Sequence, residues 1–549
     1  MRKLLLTLVL VTLTFPAFAQ EPFRQSVEVT VVNVDVVVTD RDGNPVHGLN
    51  GNDFELLEDG VRQKLTNFTE LRGDAGNQQP SGVSATGDET SSRPTRFVFF
   101  VDSWSMHPIA RREILAGIDR FIDSQMRPGD LASVVDWNGT YRIEQPLTED
   151  RAALHAAVAR ISSQSSPAVL QSGFDSVRKA CTAALAQVRS GQMAVLSAYH
   201  ECISFARVDT DRTVLISKSL VNALDVTIAT VGGADGKKVL VVAGALLPKD
   251  PGLETYQWAN QLFMPWMRGF DAPNERPNPE QVRKHRERIE SLGRNANTHG
   301  VTMYMIAAGA PANSMDITSA DALADAGGDF LRLGNTEDAY QDVADATGGI
   351  AMKRASRFDR ALETVRRDVD SYYSLGFRPS RTNPNDRNIE VKVRRKGVVA
   401  RVRRSWAPLS EQAQTRDRVI ANVFAPAEPS AWKIGVRTGK PQPQGDQYQV
   451  PLEITIPSSI ELVKRGDAVE GGFTVWVAVG NDQGALSTVF HQANPVRIQP
   501  AEEKDFRSQP LVFTANLTVR EGRNLLSVGI TDAVTKETSF ARGEIVAEK

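Results

Sequence analysis

Between Val27 and Thr39 the chain reads VEVTVVNVDVVVT, apolar and polar positions alternating until Asp40-Arg41-Asp42-Gly43 supplies a turn. FELLEDGVRQKLTNFTEL follows, turning again at Asp59-Gly60. Period-two runs broken by DG-type turns predict strands, and residues 20–72 read as a small N-terminal β module. Residues 73–95 then contain almost no apolar side chain and read as a flexible linker. After the linker the pattern changes. Arg96 to Asp102, Asp130 to Trp137, Lys238 to Ala243 and Val301 to Ala307 are continuous apolar runs, which predict strands buried on both faces.

Between these runs lie helical patterns at Pro108–Gln125, Glu149–Ile161, most of 172–231, Thr336–Ala346 and Arg357–Asp370. Buried strands alternating with helices predict an α/β domain over 96–407 with a central, doubly wound, mostly parallel sheet. Two stretches are too long for simple connections and read as insertions, a helical one at 165–231 and a loop at 248–280. The loop carries WANQLFMPWMRGF, which either packs inward or forms a partner-binding lip. SYYSLGFRPS, IEVKVRR and VVARVRRSW read as β structure closing the central domain. From 408 to 549, alternating runs such as YQVPLEITI and GFTVWVAVGN predict a C-terminal β-sandwich.

Composition narrows the partners. The 549 residues carry 64 Lys plus Arg against 66 Asp plus Glu, which gives no basic field for nucleic acid or anionic lipid. The basic run Lys392 to Arg404 alternates with valine and lacks aromatic stacking platforms, so it reads as a solvated strand face and nucleic acid is not an expected partner. MRKLLLTLVLVTLTFPAFAQ has the charge, apolar core and Ala-x-Ala order of a secretory signal peptide over residues 1–19, cleaved between Ala19 and Gln20. No later apolar run reaches the roughly 18 residues of a spanning helix, so no transmembrane segment is expected in the mature chain, which is read as periplasmic or secreted.

The two cysteines fit that compartment. Cys181 and Cys202 lie nearly equidistant from Ser190-Gly191, the turn between two predicted helices. At about 1.5 Å of rise per residue they stand at similar heights on an antiparallel hairpin. A disulfide between them is geometrically feasible and would stabilise by roughly 3 kcal/mol; two buried thiols are the alternative.

FVFFVDSWSMH places Asp102, Ser103 and Ser105 at the tip of the first central strand, where ligands bind in open α/β sheets. With VNVDVVVTDRDGNPVHGLNGNDFELLEDG before it, and PGD, YQDVADATGGIA and DSYYSLGFRPS after it, this region of roughly 27–406 resembles the von Willebrand factor A domain. The likeness is to the VWFA-related type common in exported acidobacterial proteins. The resemblance implies a Rossmann-like sheet whose top holds a divalent cation such as Mg²⁺, ligated by Asp-x-Ser-x-Ser, a loop Thr and an Asp after the fourth strand. A hard cation takes such oxygen ligands and leaves positions open for water or a partner's carboxylate. It further implies a domain that binds a protein or cell-surface ligand without catalysis.

The chain departs from that pattern. Counting from Asp102, the spaced positions are Trp104 and Met106, while Ser103 and Ser105 fall one residue early. After KVLVVA the residues are Gly244-Ala245-Leu246, with Asp250 the nearest acid, and Thr210 and Thr213 are the loop-threonine candidates. A degenerate metal site of Asp102, Ser103 and Ser105 is therefore expected. Enzyme signatures are absent: none of the seven histidines stands in a zinc H-E-x-x-H, and there is no nucleophile elbow or phosphate loop. The expected function is a non-enzymatic interaction or adhesion module; a structural component of an envelope or secreted assembly is the alternative.

Overall fold

The computed structural model describes residues 31–72, 94–164, 169–267, 269, 271, 274–308, 320–352, 358–379, 387–424, 432–481 and 486–548, without the side chains of 169–172 and 320–330. The signal peptide, its Ala19–Gln20 boundary and residues 73–93 of the linker lie outside them. The protein is mixed α/β, with one six-stranded mixed sheet and two pairs of antiparallel sheets.

The six-stranded sheet has the spatial order 351–352, 301–307, 237–244, 95–101, 131–137, 141–148. Every pairing is parallel except the last, where Tyr141–Thr148 runs antiparallel along the edge. The apolar run FVFFV now has its reason. Phe97, Phe99 and Val101 face a layer made by helices Pro108–Ser124, Arg151–Ser163 and Phe358–Asp370. Val98 and Phe100 face the opposite layer, made by helices Val195–Gly232, Pro279–Thr298 and Ala320–Thr347. Side chains alternate across a strand, so a strand covered on both faces has no polar position to spare. The edge strand Tyr141–Thr148 was not anticipated, because YRIEQPLT carries Pro146, two charges and only two buried residues. Such mixed character is what an edge tolerates.

Two helices of the first layer are joined by a histidine. His155 Nδ1 lies 2.8 Å from Asp119 Oδ1 and its Nε2 2.9 Å from Asp123 Oδ1. The hydrogen bond to Asp119 is the largest influence and outweighs the cost of burial; with the smaller contribution of Asp123 it raises the imidazole above its usual 6.5. A raised folded-state value means that the stabilisation is complete below about 6.5 and is lost as pH rises through the folded value. His155→Gln should therefore lower the melting temperature more at pH 5.5 than at pH 8.5; an equal loss at both would show that the imidazolium is not what joins the helices.

The N-terminal β module is not a separate unit as its position in the chain suggested. Val32–Asp40 pairs with Ser371–Phe377 and Val398–Val402, and Phe54–Glu58 pairs with Arg387–Val393. The eight strands of 32–72 and 371–406 form two four-stranded sheets around one core of Val34, Val36, Leu56, Leu375, Phe377 and their neighbours. Residues 371–406 thus complete the N-terminal module and do not close the central domain. Of the described strands within 32–72 only Phe54–Glu58 and Val61–Gln63 pair with each other, and Ser371–Phe377 inserts between Val32–Asp40 and Leu65–Arg72, so the returning chain supplies the missing ladder.

The insertions also change character. In the 38-residue helix Val195–Gly232, the C-terminal half packs Leu220, Leu224, Ile228 and Val231 against the sheet, so only its first half belongs to an insertion. By length and composition this helix could cross a membrane, but 44% of its apolar window is buried inside the fold. The first half pairs with Val169–Arg189, and Cys181 and Cys202 form a disulfide with Cα atoms 4.7 Å apart. Loop 248–280 contains helix Leu253–Phe263, whose Trp258 and Phe263 pack into this hairpin, while Met264 and Trp266 remain 55% and 40% exposed.

The C-terminal region begins with a helix, Glu411–Phe424, before its two antiparallel sheets close over one shared core. That helix joins the two regions: Val419, Val423 and Phe424 share the central cluster with Trp476 and Ala478 of the sandwich. Gly233 lets it approach, since a Cβ there would stand 2.4 Å from the Asp417 carbonyl oxygen.

Candidate functional site

The order of the six-stranded sheet reverses between strands 95–101 and 237–244, and ligands in open α/β sheets bind at such a point, outside the strand C-termini. Asp102 lies there. Its N–H donates to Ala243 O at 2.9 Å, which extends the ladder one residue past Val101 and directs the carboxyl group over the crevice.

The three candidate ligands are brought together in an unexpected way. Asp102 Oδ1 accepts from Ser105 N at 3.1 Å, and Oδ2 accepts from the Ser105 hydroxyl. Ser103 turns away and donates to Asp136 Oδ1. The intervening residues pack: Met106 is fully buried in the core, and Trp104 sets its ring edge-on to Trp137 at 6.2 Å and against Gly139. This packing accounts for the displaced serines, because the positions where the resembled motif has hydroxyls are occupied here by a core methionine and an indole packed edge-on against Trp137.

Asp136 is the residue that sequence reasoning missed. It sits opposite Val101 in the parallel register, so two neighbouring strands each deliver a carboxyl group to the same end of the sheet. The signal was present in LASVVDW, a second apolar run with an aspartate just before its last residue. Both carboxyls are wholly buried. Burial pushes Asp102 up to about 7, opposed by the Ser105 hydrogen bonds and reinforced by the charge of Asp136. Burial likewise pushes Asp136 up to about 6, opposed by the Ser103 hydrogen bond and by Arg111. Low dielectric disfavours two adjacent anions, so the pair shifts toward its neutral forms. Arg111, 5% exposed, supplies the nearby positive charge and donates to the Gln164 and Ile161 carbonyls. Asp136 Oδ2 has no hydrogen-bond partner among the described residues.

The remaining candidates lie elsewhere. Thr210 is buried in the long helix and its hydroxyl donates to Ala206 O at 2.8 Å; Thr213 lies on the same helix. Asp250 accepts from Arg286 Nε at 2.6 Å. Around the sheet top, Ile109 is 40% exposed, Thr140 and Gly139 are exposed, and Trp104 is half-buried.

No protein-family model matches the chain, and no curated protein matches it. Among solved structures, three N-terminal domains of the type V pili tip protein Mfa5 from Porphyromonas gingivalis align over 94% of this chain and 76% of theirs, at 8% identity and a TM-score of 0.27. A protein from Archaeoglobus fulgidus aligns over 22% of this chain and 98% of its own, at 9% identity and a TM-score of 0.13. The Bacteroides uniformis beta-glucuronidase aligns over 33% and 19%, at 9% identity and a TM-score of 0.15. Likenesses this slight carry no argument about fold family or activity.

Proposed function

We propose that the chain is an exported, non-enzymatic interaction protein that binds a protein or cell-surface ligand at the top of a von Willebrand factor A-like sheet. The observation that carries this reading is the position of Asp102 at the point where the sheet order reverses. The sheet order supports it, with strands 95–101, 131–137 and antiparallel 141–148 on one side of that point and 237–244, 301–307 and 351–352 on the other, as does the exposed rim of Ile109 and Thr140 at the same end of the sheet. Export rests on the N-terminal pattern and agrees with the disulfide, since disulfides persist in oxidising compartments.

A second reading makes the protein a structural component of an envelope or secreted assembly, with contacts made by the β regions and insertions. Exposed Met264 and Trp266 favour it.

Capture from native envelope extracts separates the two. Ile109→Arg with Thr140→Arg places two cations on the rim without disturbing the core. Under the first reading this variant loses its partner at least tenfold, while Met264→Ser with Trp266→Ser retains it. The opposite pattern would replace the first reading with the second.

A further inference from the structure

We infer that the sheet top has exchanged its cation for a hydrogen-bonded plug, so that the Asp102 site takes no divalent metal. The von Willebrand-type reading implies such a metal, and a hard cation there needs oxygen lone pairs converging on one point, with room for its remaining waters. The residues present do not fit it. Ser105 occupies both oxygens of Asp102 through its N–H and its hydroxyl. The Ser105 oxygen in turn accepts from the main-chain N–H of Ala245 at 2.9 Å. Ala245 belongs to the loop from which the family's carboxylate comes, and here that loop presents a donor.

Gly244 makes the exchange difficult to reverse. A Cβ at this position would lie 2.8 Å from Asp102 Oδ2 and 2.9 Å from the Tyr340 hydroxyl, so no ligating side chain can grow from it. Tyr340 is itself fully buried and held by donation to Leu246 O at 3.0 Å. The hydroxyl stands beside the carboxylate, where the hydration sphere of a cation would have to fit.

The loop is anchored on both sides. Asn335 accepts from Asp250 N and donates to Asp250 O, both at 2.7 Å, and His285 Nε2 lies 2.8 Å from Pro248 O. Leu247, between the Tyr340–Leu246 hydrogen bond on one side and the Pro248 and Asp250 anchors on the other, is fully buried at φ 112°, a conformation costly for any residue but glycine. A strained residue persists only where its surroundings over-determine it, so the loop is not free to open and admit an ion.

This inference rests on the sheet-top reading for its relevance to binding, and on the geometry alone for the absence of a cation. Its test needs no partner. Full-length mature protein is titrated with Mn²⁺ and Mg²⁺ by calorimetry and with Tb³⁺ by luminescence, for which Trp104 and Trp137 are adjacent sensitisers. No saturable one-to-one event should appear up to millimolar ion. Ser105→Ala should lower the melting temperature equally in EDTA and in Mg²⁺. Saturable Mn²⁺ binding that disappears in Asp102→Asn overturns the inference, and so does a Ser105→Ala penalty that appears only with Mg²⁺ present. Loss of partner capture in the rim variant bears on the proposed function and leaves this result unaffected.

Discussion

Glu58→Ala is expected to cost about 3–5 kcal/mol, the usual result of removing one member of a buried ion pair. Glu58 Oε1 accepts from Arg387 Nη1 at 2.6 Å, and the two side chains are 2% and 4% exposed. The substitution leaves a guanidinium in a site that water cannot reach. Because the pair joins strand Phe54–Glu58 to strand Arg387–Val393, the loss should spread across a chain separation of more than 300 residues. Hydrogen exchange read by mass spectrometry should show 32–72 and 371–406 losing protection together while 95–137 keeps it. Loss confined to 32–72 would mean that the two stretches do not form one sandwich. Trp406, whose ring lies 5.2 Å from the Arg387 guanidinium, offers a fluorescence reading of the same event.

Cys181→Ser with Cys202→Ser, or reduction of the wild type, should remove about 3 kcal/mol of constraint from a loop closed across a sequence separation of 21. The effect should be local. The bond holds the outer halves of two helices, whose cluster includes Phe174, Tyr199, Trp258 and Phe263, and the six-stranded sheet keeps its own two layers without it. Limited proteolysis should cut near the Ser190–Gly191 turn several-fold faster after reduction, with the main thermal transition little moved. Equal cleavage rates before and after reduction would show that packing alone holds the hairpin.

Much of this architecture was legible in the chain because it rests on local patterns. Arg96 to Asp102 and Val301 to Ala307 are apolar throughout, and only a strand covered on both faces uses such a run. The cysteine pairing followed from the symmetry of a helical hairpin about one turn. Position at the sheet top was equally readable for Asp102, since a strand's end is a local property. The departure of DSWSM from the expected spacing was visible too, but not its cause, because nothing local says that Met106 belongs to the core.

Local pattern was enough for the four buried strands of the central sheet, for most of the helices beside them and for the acid at the tip of the first strand, but not for helices Leu253–Phe263, Pro279–Thr298 and Glu411–Phe424. Long-range packing sets the return of residues 371–406 to complete the N-terminal sandwich, the delivery of Asp136 to the same end of the sheet as Asp102, and the closing of Gly244, Ala245 and Tyr340 over Asp102 and Ser105. The division has a physical reason. Periodicity reports what one segment must hide from water, whereas the partner that hides it, and the close approach of the Tyr340 hydroxyl to Gly244, are set by chain segments far apart in sequence.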